Sequence, residues 1–505
     1  MISFVYSAGK DPKGMRNVQA HIAFCEQGFN VSELVGQLKN HCPQLEEFVA
    51  LQEFKGKSGS SCIVTGDNSG KPVYCALLGV GKLSGEKADL IEQYRRALGK
   101  AIRIAECRNL TKLAVYIPDA AKFITTKEDL FYEAACTMRI ASYSFDQFKT
   151  NGKRLSEKEY TIYLVGNSDS ESAIKKVIEH GDRIGLSTNK SRYWSDLPAD
   201  TLTPKLLADH AQAISKELGL DVKVFGEKEI KEMGMGGLSG VSQGSDRPAQ
   251  LVVMEYKTDV PNAPTIALVG KGVTFDSGGI SIKPSSGMHE MKDDMAGAAS
   301  VVAAMEAIAH TRPSVNVVGV APLTENMPGG GALKPGDIVT FYNGKTAEIQ
   351  NTDAEGRLIL ADALSYVTKN YKLAAVVDIA TLTGACLYAL GPVFAGIMSK
   401  HADLVDQVKQ AGECSGDRVW QLPLHEDYRV AIKSDVADIC NIGSKAYKAG
   451  SITAGFFLSN FVGTTPWLHI DIAGTSFNVP GKSYYRSGAT GFGVRLFVEL
   501  VKNWS

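Results

Sequence analysis

The chain has 505 residues, 44% hydrophobic and 22% charged, with a formal net charge of −1 and nine cysteines. That length exceeds what one core organises, so two domains of soluble globular composition are expected. The balanced charge with no basic run argues against a nucleic-acid surface. No stretch approaches about 18 uninterrupted apolar residues, and Met1–Lys10 has no charged segment leading into an apolar one, so neither a membrane span nor a secretory leader is expected.

In chain order, Val73–Val80, Leu113–Ile117 and Tyr160–Val165 read as buried strands. Helical patterns lie between them, notably Leu90–Ala105. Strands alternating with helices predict an α/β domain. The run Gly79-Val-Gly-Lys-Leu-Ser-Gly85 lacks phosphate-loop spacing and reads as a strand-end turn. Ser170–Trp194 predicts one long amphipathic helix, with Ile174, Val177, Ile178, Ile184 and Leu186 on its apolar stripe. Thr203 and Pro204 then fit the N-cap and first position of a new helix.

Further on, Leu251–Tyr256, Thr265–Val269, Val315–Pro322 and Ala374–Ile379 read as strands, and Gly297–Ala309 as a helix of small residues. Asn343-Gly344 predicts a hairpin between Ile338–Tyr342 and Thr346–Ile349. The domain limits expected are 1–168 for an N-terminal α/β domain, 169–194 for a linker helix and 195–505 for a second α/β domain. The cysteines are scattered singly, without a CxxC pair, which fits reduced thiols in a cytoplasmic protein.

The densest chemistry lies in Asn351-Thr-Asp-Ala-Glu-Gly-Arg-Leu358, where Asp353, Glu355 and Arg357 fall within five residues ahead of an apolar segment. Upstream, Lys271 and Asp276 sit in the glycine-rich stretch Gly270–Gly279, Lys283 follows Ile280-Ser-Ile, and Asp293 and Asp294 precede a helix. Strand ends of this kind are where α/β sheets bind ligands. Asp276, Asp294, Asp353 and Glu355 total −4, which two divalent cations would cancel, and bridging carboxylates suit such a pair. An ammonium beside two cations must either lose its proton and ligate or face the substrate. Lys271 and Lys283 could divide those roles, while Arg357 keeps its charge and can clamp an anion. Two plain readings compete. Asp353 and Glu355 could be a helix cap and a first-turn acid, and one of Asp293 and Asp294 is expected to be a first-turn acid.

Asn351–Leu358 is similar to the signature of the leucyl aminopeptidase family, the di-zinc exopeptidases. Val269–Pro284, Met288–Ala299, Glu325–Gly331, Pro335–Asp337, Ala380–Ala385 and His469–Gly474 resemble the family's other motifs, so the resemblance covers about residues 175 to 505. It implies a metal-dependent aminopeptidase with a preference for leucine and other apolar N-terminal residues. The implied fold has a smaller N-terminal α/β (macro-like) domain and a larger C-terminal α/β catalytic domain, with a central mixed sheet flanked by helices. Lys271, Asp276, Asp294 and Glu355 would hold one metal, and Asp276, Asp353 and Glu355 the other. Lys283 would contact the scissile carbonyl. Arg357, with the backbone of Leu382, would hold a bicarbonate ion acting as general base. Met291, Thr381, Gly384 and Ala473 would line the pocket for the first side chain. The metals implied are zinc or manganese, with magnesium or cobalt as alternatives. The partners are peptides with a free N-terminus, and the assembly a cytoplasmic homohexamer without a membrane or nucleic-acid partner. Ala296, Asp293 and the form of Ser195–Asp200 depart from the family pattern without touching a proposed ligand. A DNA-binding or non-catalytic protein retaining the same fold is the competing reading. A dinucleotide-binding oxidoreductase is not, because Gly270–Gly279 has no GxGxxG spacing.

Overall fold

The computed structural model describes residues 2–8, 15, 17–30, 38, 41–67, 70–167 and 170–504. Residue 168, the expected end of the first domain, lies outside them, as do Met1, Gly9 and Lys10 of the segment read as lacking a leader. The chain divides into two compact units, Met1–Asn189 with Gly481–Arg486, and Lys190–Pro480 with Ser487–Ser505.

The first unit is built on β1 (Ile2–Ser7), β2 (Ala20–Glu26), β3 (Ser61–Asp67), β4 (Pro72–Gly81), β5 (Lys112–Tyr116) and β6 (Tyr160–Val165). The strand order is β1-β6-β5-β2-β4-β3, and only β3 pairs antiparallel. A parallel sheet is covered on both faces, which is why β4 is a continuous apolar run rather than an alternating one. Gly79 serves close approach rather than phosphate binding: a Cβ there would stand 2.1 Å from the Lys57 carbonyl oxygen. All nine cysteines are free thiols, seven of them buried.

In the second unit β7 (Asp221–Gly226), β8 (Gln250–Tyr256), β9 (Thr265–Gly270), β10 (Gly272–Asp276) and β11 (Asn316–Asn326) are followed by the short strands β12 (Ile338–Thr340) and β13 (Thr346–Glu348). Then come β14 (Ala375–Ala380), β15 (Ala395–Met398), β16 (Val419–Gln421), β17 (Ile439–Cys440) and β18 (Trp467–Asp471). Nine of them form a mixed sheet of order β16-β15-β18-β14-β9-β11-β8-β7, with β10 paired to β11. The neighbours β18, β14, β9 and β11 are mutually parallel, and β10 runs parallel to β11. Their carboxyl ends therefore share one edge, where Asp471, Thr381, Lys271, Asn326 and Asp276 emerge.

Two helices deliver the rest. Ala296–Thr311 starts close to that edge because two glycines allow it: a Cβ on Gly270 would lie 2.3 Å from the Gly297 oxygen, and one on Gly297 2.3 Å from the Ile379 oxygen. Gly356–Asn370 is buried from Gly356 to Val367, with Leu358, Ile359, Leu360, Ala363, Leu364 and Val367 at 0% exposure. Full burial explains an apolar segment that shows no polar face. The long helix Glu171–Asp196 is present, and Thr203 caps Pro204–Leu218 by accepting the Leu206 N–H at 3.2 Å. The Asn343-Gly344 hairpin is also present, pairing Ile338 with Glu348 and Thr340 with Thr346.

Two expectations fail. Leu186, read onto the apolar stripe of the helix Glu171–Asp196, is 43% exposed. Neither Asp293 nor Asp294 is a first-turn acid, because the chain makes a 3-10 turn over Met288–Asp293 and the α-helix begins only at Ala296.

Asp362, on the Gly356–Asn370 helix, braces the start of the neighbouring helix Gly236–Ser242. Its carboxylate accepts the Leu238 N–H at 2.8 Å and the Tyr342 N–H at 2.8 Å. Burial pushes this carboxyl from the ordinary 3.8 up to about 7, against the lowering effect of the backbone donors. Between those values the folded chain holds a proton that the unfolded chain has released. The stability it contributes is therefore present at acid pH and lost as pH rises through about 7. Asp362→Asn sets an amide NH2 against a backbone donor and destabilises by about 1–3 kcal/mol. Thermal melts of both proteins should show that gap narrowing from mildly acidic to mildly alkaline pH. A gap that widens would mean the fold prefers the ionised carboxylate.

Candidate metal centre

Six of the residues singled out in the sequence converge at the shared strand edge. Oxygens of Asp276, Asp353 and Glu355 all lie within 4.8 Å of one another. Lys283 Nζ stands 2.8 Å from Asp276 Oδ2 and also pairs with Asp353. Lys271 Nζ stands 2.8 Å from Asp294 Oδ1 and 2.9 Å from Glu355 Oε1, and donates to the Thr381 carbonyl oxygen at 2.9 Å. The Lys271 stem passes over Gly356, where a Cβ would lie 2.6 Å from its Cε. The glycine between Glu355 and Arg357 is thus what lets the lysine through.

The capping reading of Asp353 and Glu355 does not hold. Glu355 occupies the N-cap position of Gly356–Asn370, and its side chain makes no capping hydrogen bond. Asp353 precedes it, with its N–H bonded to Asn351 Oδ1 at 2.9 Å.

The electrostatics favour added positive charge. Four carboxylates and two ammonium groups leave −4 + 2 = −2 in a site that is dry around Lys271 and opens at Lys283 and Asp353, whose side chains are 20% and 33% exposed. Asp276 and Glu355 are each 2% exposed, and Asp294 is 8% exposed. Burial, reinforced by mutual repulsion, raises the carboxyls of Asp276, Asp294 and Asp353 above their ordinary value. Burial opposes the charge on Lys271, yet Asp294, Glu355 and Asp276 outweigh it and hold the ammonium above the usual lysine range. Asp294 Oδ2 and Glu355 Oε2 are buried without a hydrogen-bond partner among the described residues. Unsatisfied buried carboxylate oxygens are costly unless a proton or a cation meets them. The donor set, all hard oxygens plus lysine nitrogen, fits divalent ions such as zinc, manganese or magnesium.

Arg357 lies beside this cluster and is fully enclosed. Burial lowers its pKa to about 10, while Glu355, Asp471 and Asp353 act to raise it, so it stays charged at neutral pH. Its Nη1 donates to the Asn441 carbonyl at 2.9 Å, and its Nε has no partner among the described residues. A buried guanidinium with an unused donor is suited to hold an anion.

The segment expected to line the substrate pocket is organised by Asp471, which is 0% exposed. Asp471 Oδ1 accepts N–H bonds from Leu382 at 3.2 Å, Thr383 at 3.3 Å and Ala473 at 3.2 Å, and Oδ2 accepts the Thr383 hydroxyl at 2.6 Å. The Leu382 N–H is therefore committed, leaving its carbonyl for any further partner. The Thr381 hydroxyl donates to Asp294 Oδ1 at 2.8 Å, tying the segment to the acids. Gly384 opens the helix Gly384–Leu390 and is exposed; a Cβ there would meet nothing within 4 Å. Met291 lies half-buried in the 3-10 turn that presents Asp294.

Sequence reasoning missed four supports. Asn326 Nδ2 donates to Asp276 Oδ1 at 2.8 Å and to the Thr352 carbonyl at 3.1 Å. The Thr352 hydroxyl donates to the Gly278 carbonyl at 2.7 Å and accepts the Ser281 N–H at 2.8 Å, tying the Asp276 loop to the Asp353 loop. Asn326, Thr352 and Asp471 stand inside motifs already singled out, so proximity was the available signal. Asn441 stands in none.

The chain matches the "Cytosol aminopeptidase family, catalytic domain" over residues 189–498 and the "Cytosol aminopeptidase family, N-terminal domain" over residues 24–152. It is 43% identical over 474 residues to a probable cytosol aminopeptidase of Chlorobium limicola, covering 90% of this chain and 92% of that protein. A probable cytosol aminopeptidase of Chlorobaculum tepidum is 45% identical over 469 residues, covering 90% and 91%. Among solved structures, the bottromycin maturation enzyme BotP in complex with Mn is similar at TM-score 0.83 and 30% identity, over 96% of this chain and 99% of that one. With a two-domain α/β architecture of mixed sheets flanked by helices, the chain belongs to the cytosol aminopeptidase family, whose members are peptidases dependent on a dinuclear metal site.

Proposed function

We propose that this aminopeptidase removes leucine and other apolar residues from peptide N-termini, using a bicarbonate ion held by Arg357 as general base. Lys271, Asp276, Asp294 and Glu355 would hold one divalent ion, and Asp276, Asp353 and Glu355 the second. The observation that carries this reading is the cluster of buried acids with open oxygens on Asp294 and Glu355. Two divalent ions bound there would supply Lewis acidity and lower the pKa of a water toward neutrality.

The chain's own residues do the rest. Lys283, the more exposed of the two lysines at 20% of its side chain against 3%, would donate to the oxyanion that develops on the scissile carbonyl. Arg357 would hold the bicarbonate through its unused donor, with the Leu382 carbonyl accepting from the anion's hydroxyl. That ion would take the water's proton, because no histidine or free carboxylate is assigned to the task. The substrate's α-amine would occupy a place at the acid cluster that an internal residue cannot fill, which makes the enzyme an exopeptidase. Met291, Thr381, Gly384 and Ala473 would line the first side-chain pocket, and the open space beyond Gly384 leaves room for a branched apolar group.

Zinc and manganese are the ions we assign first, and the manganese of the solved relative supports the second. The same reading takes residues 1–168 as an accessory domain, 169–194 as a linker helix and 195–505 as the catalytic domain, in a cytoplasmic homohexamer.

The test is to strip the full chain with a chelator and restore Mn²⁺ or Zn²⁺. Amino-acid anilides of leucine, alanine, lysine and glutamate are then assayed in carbonate-free buffer and with added bicarbonate. Activity should vanish on stripping, return with metal, favour leucine and rise with bicarbonate. Indifference to metal would sink the centre as the seat of catalysis. A charged residue preferred over leucine would sink the specificity, and a rate unmoved by bicarbonate would sink the base.

A further inference from the structure

Asn441 belongs to none of the motifs that carry the chemistry, yet the site's two halves meet on it. It is 0% exposed and follows the two-residue strand β17, which pairs in parallel with β13. Its backbone N–H continues that pairing by donating to the Glu348 oxygen at 3.0 Å. Beyond this point the side-chain amide takes over the role of the next peptide group. Oδ1 accepts the Gln350 N–H at 2.9 Å and the Asn351 N–H at 3.4 Å, and Nδ2 donates to the Asn351 carbonyl at 2.7 Å. Asn351 passes the constraint on, because its own Oδ1 accepts the Asp353 N–H at 2.9 Å. On its other side the Asn441 carbonyl accepts from Arg357 Nη1 at 2.9 Å.

We propose that Asn441 is a positioning residue that fixes the Asp353 carboxylate and the Arg357 guanidinium relative to each other. The inference rests on the proposed roles of Asp353 as a metal ligand and Arg357 as the anion holder.

The chemistry requires an asparagine. The amide must accept on one atom and donate on the other, which neither alanine nor ionised aspartate can do. An aspartate would keep both acceptor contacts but turn a second oxygen toward the Asn351 carbonyl. The carbonyl that orients Arg357 belongs to the same residue, so loosening the amide also loosens the guanidinium. Glu355, Asp471 and Asp353 are the acids that act on Arg357; Asp471 already accepts four hydrogen bonds, which leaves Glu355 and Asp353, both proposed ligands, as the groups with room to capture it. A freed Arg357 therefore competes with the metals for their own carboxylates. A residue that merely held a loop would not produce that competition.

The experiment uses the full chain with Asn441→Ala and Asn441→Asp. Metal-free protein is titrated with Mn²⁺ by calorimetry, its melting temperature is measured, and kinetics on leucine anilide follow in saturating metal. Both variants should show one of two Mn²⁺ sites weakened by about 10–100-fold, as partners behind metal ligands do. The turnover number should fall by a comparable factor and KM change less. The metal-free melting temperature also falls, because buried backbone groups lose their partners, but the weakened Mn²⁺ site persists when binding is measured well below that temperature, where the variant is folded. If Asn441→Ala does not fold, Asn441→Asp decides, since it matches asparagine in shape. Two intact Mn²⁺ affinities, with activity falling only in step with the melting temperature, would overturn the inference alone. A wild-type titration without two sites would instead remove the proposed function, and the inference with it.

Discussion

Glu355→Gln is expected to abolish turnover while leaving the metal-free protein at least as stable as wild type. Glu355 is 2% exposed, with one oxygen 2.9 Å from Lys271 and the other unpartnered. An amide at this position offers one acceptor fewer and no charge, so two cations lose the carboxylate proposed to bridge them. Metal-site chemistry contributes several kcal/mol to catalysis, so a loss on the order of a thousandfold or more in turnover is expected. Stability moves the other way. Glu355 is among the charges that raise the Asp276 and Asp294 carboxyls, so removing it relaxes the metal-free cluster from −2 to −3 + 2 = −1. The melting temperature should hold or rise without metal, and the further rise on adding Mn²⁺ should shrink as binding weakens. Turnover within about tenfold of wild type in saturating metal would remove Glu355 from the ligand set.

Lys283→Met is expected to separate the two lysines. If Lys283 faces the oxyanion, its loss costs about a hundredfold to a thousandfold in turnover with a smaller change in KM. Metal affinity should increase, because an ammonium 2.8 Å from Asp276 and paired with Asp353 competes with cations for those oxygens. A metal ligand would behave in the opposite sense, with affinity falling on substitution. Calorimetric titration beside steady-state kinetics therefore decides the role of Lys283, and weaker Mn²⁺ binding in the variant would reassign it to the ligand set.

Much of the frame was legible because it rests on local pattern. The run Val73–Val80 declares a strand that must be buried on both faces, and it is found within β4. Asn343-Gly344 declares its hairpin because Gly344 takes a positive φ of 88°. Thr203-Pro204 declares a helix start because a hydroxyl and a fixed φ suit it. The acids and lysines of the centre were legible as types at strand and helix ends, since apolar surroundings leave few other reasons for them.

What local pattern does not carry is which of two chemically identical groups does which task. Asp293 and Asp294 are adjacent and alike, yet Asp293 accepts the Ser476 hydroxyl at 2.6 Å while Asp294 meets Lys271 at 2.8 Å. The 3-10 turn over Met288–Asp293 makes that choice, and nothing in the two side chains predicts it. Asp353 and Glu355 satisfied a capping pattern as well as a ligand pattern, because a helix N-terminus and a cation both attract carboxylates. Folding separated the two by placing Glu355 at the N-cap position with its side chain turned to Lys271 instead.

The sequence by itself determined the α/β class, the family and the set of charged residues at the site. Only the tertiary structure decided how they work together, through Asp471 gathering the N–H groups of Leu382, Thr383 and Ala473, and Asn441 bridging the Asp353 loop to Arg357. The reason is physical: a short polar side chain makes its hydrogen bonds wherever the fold brings a partner, and here those partners lie 84 to 91 residues away in the chain for Arg357 with Asn441 and for Gln350 with the same asparagine.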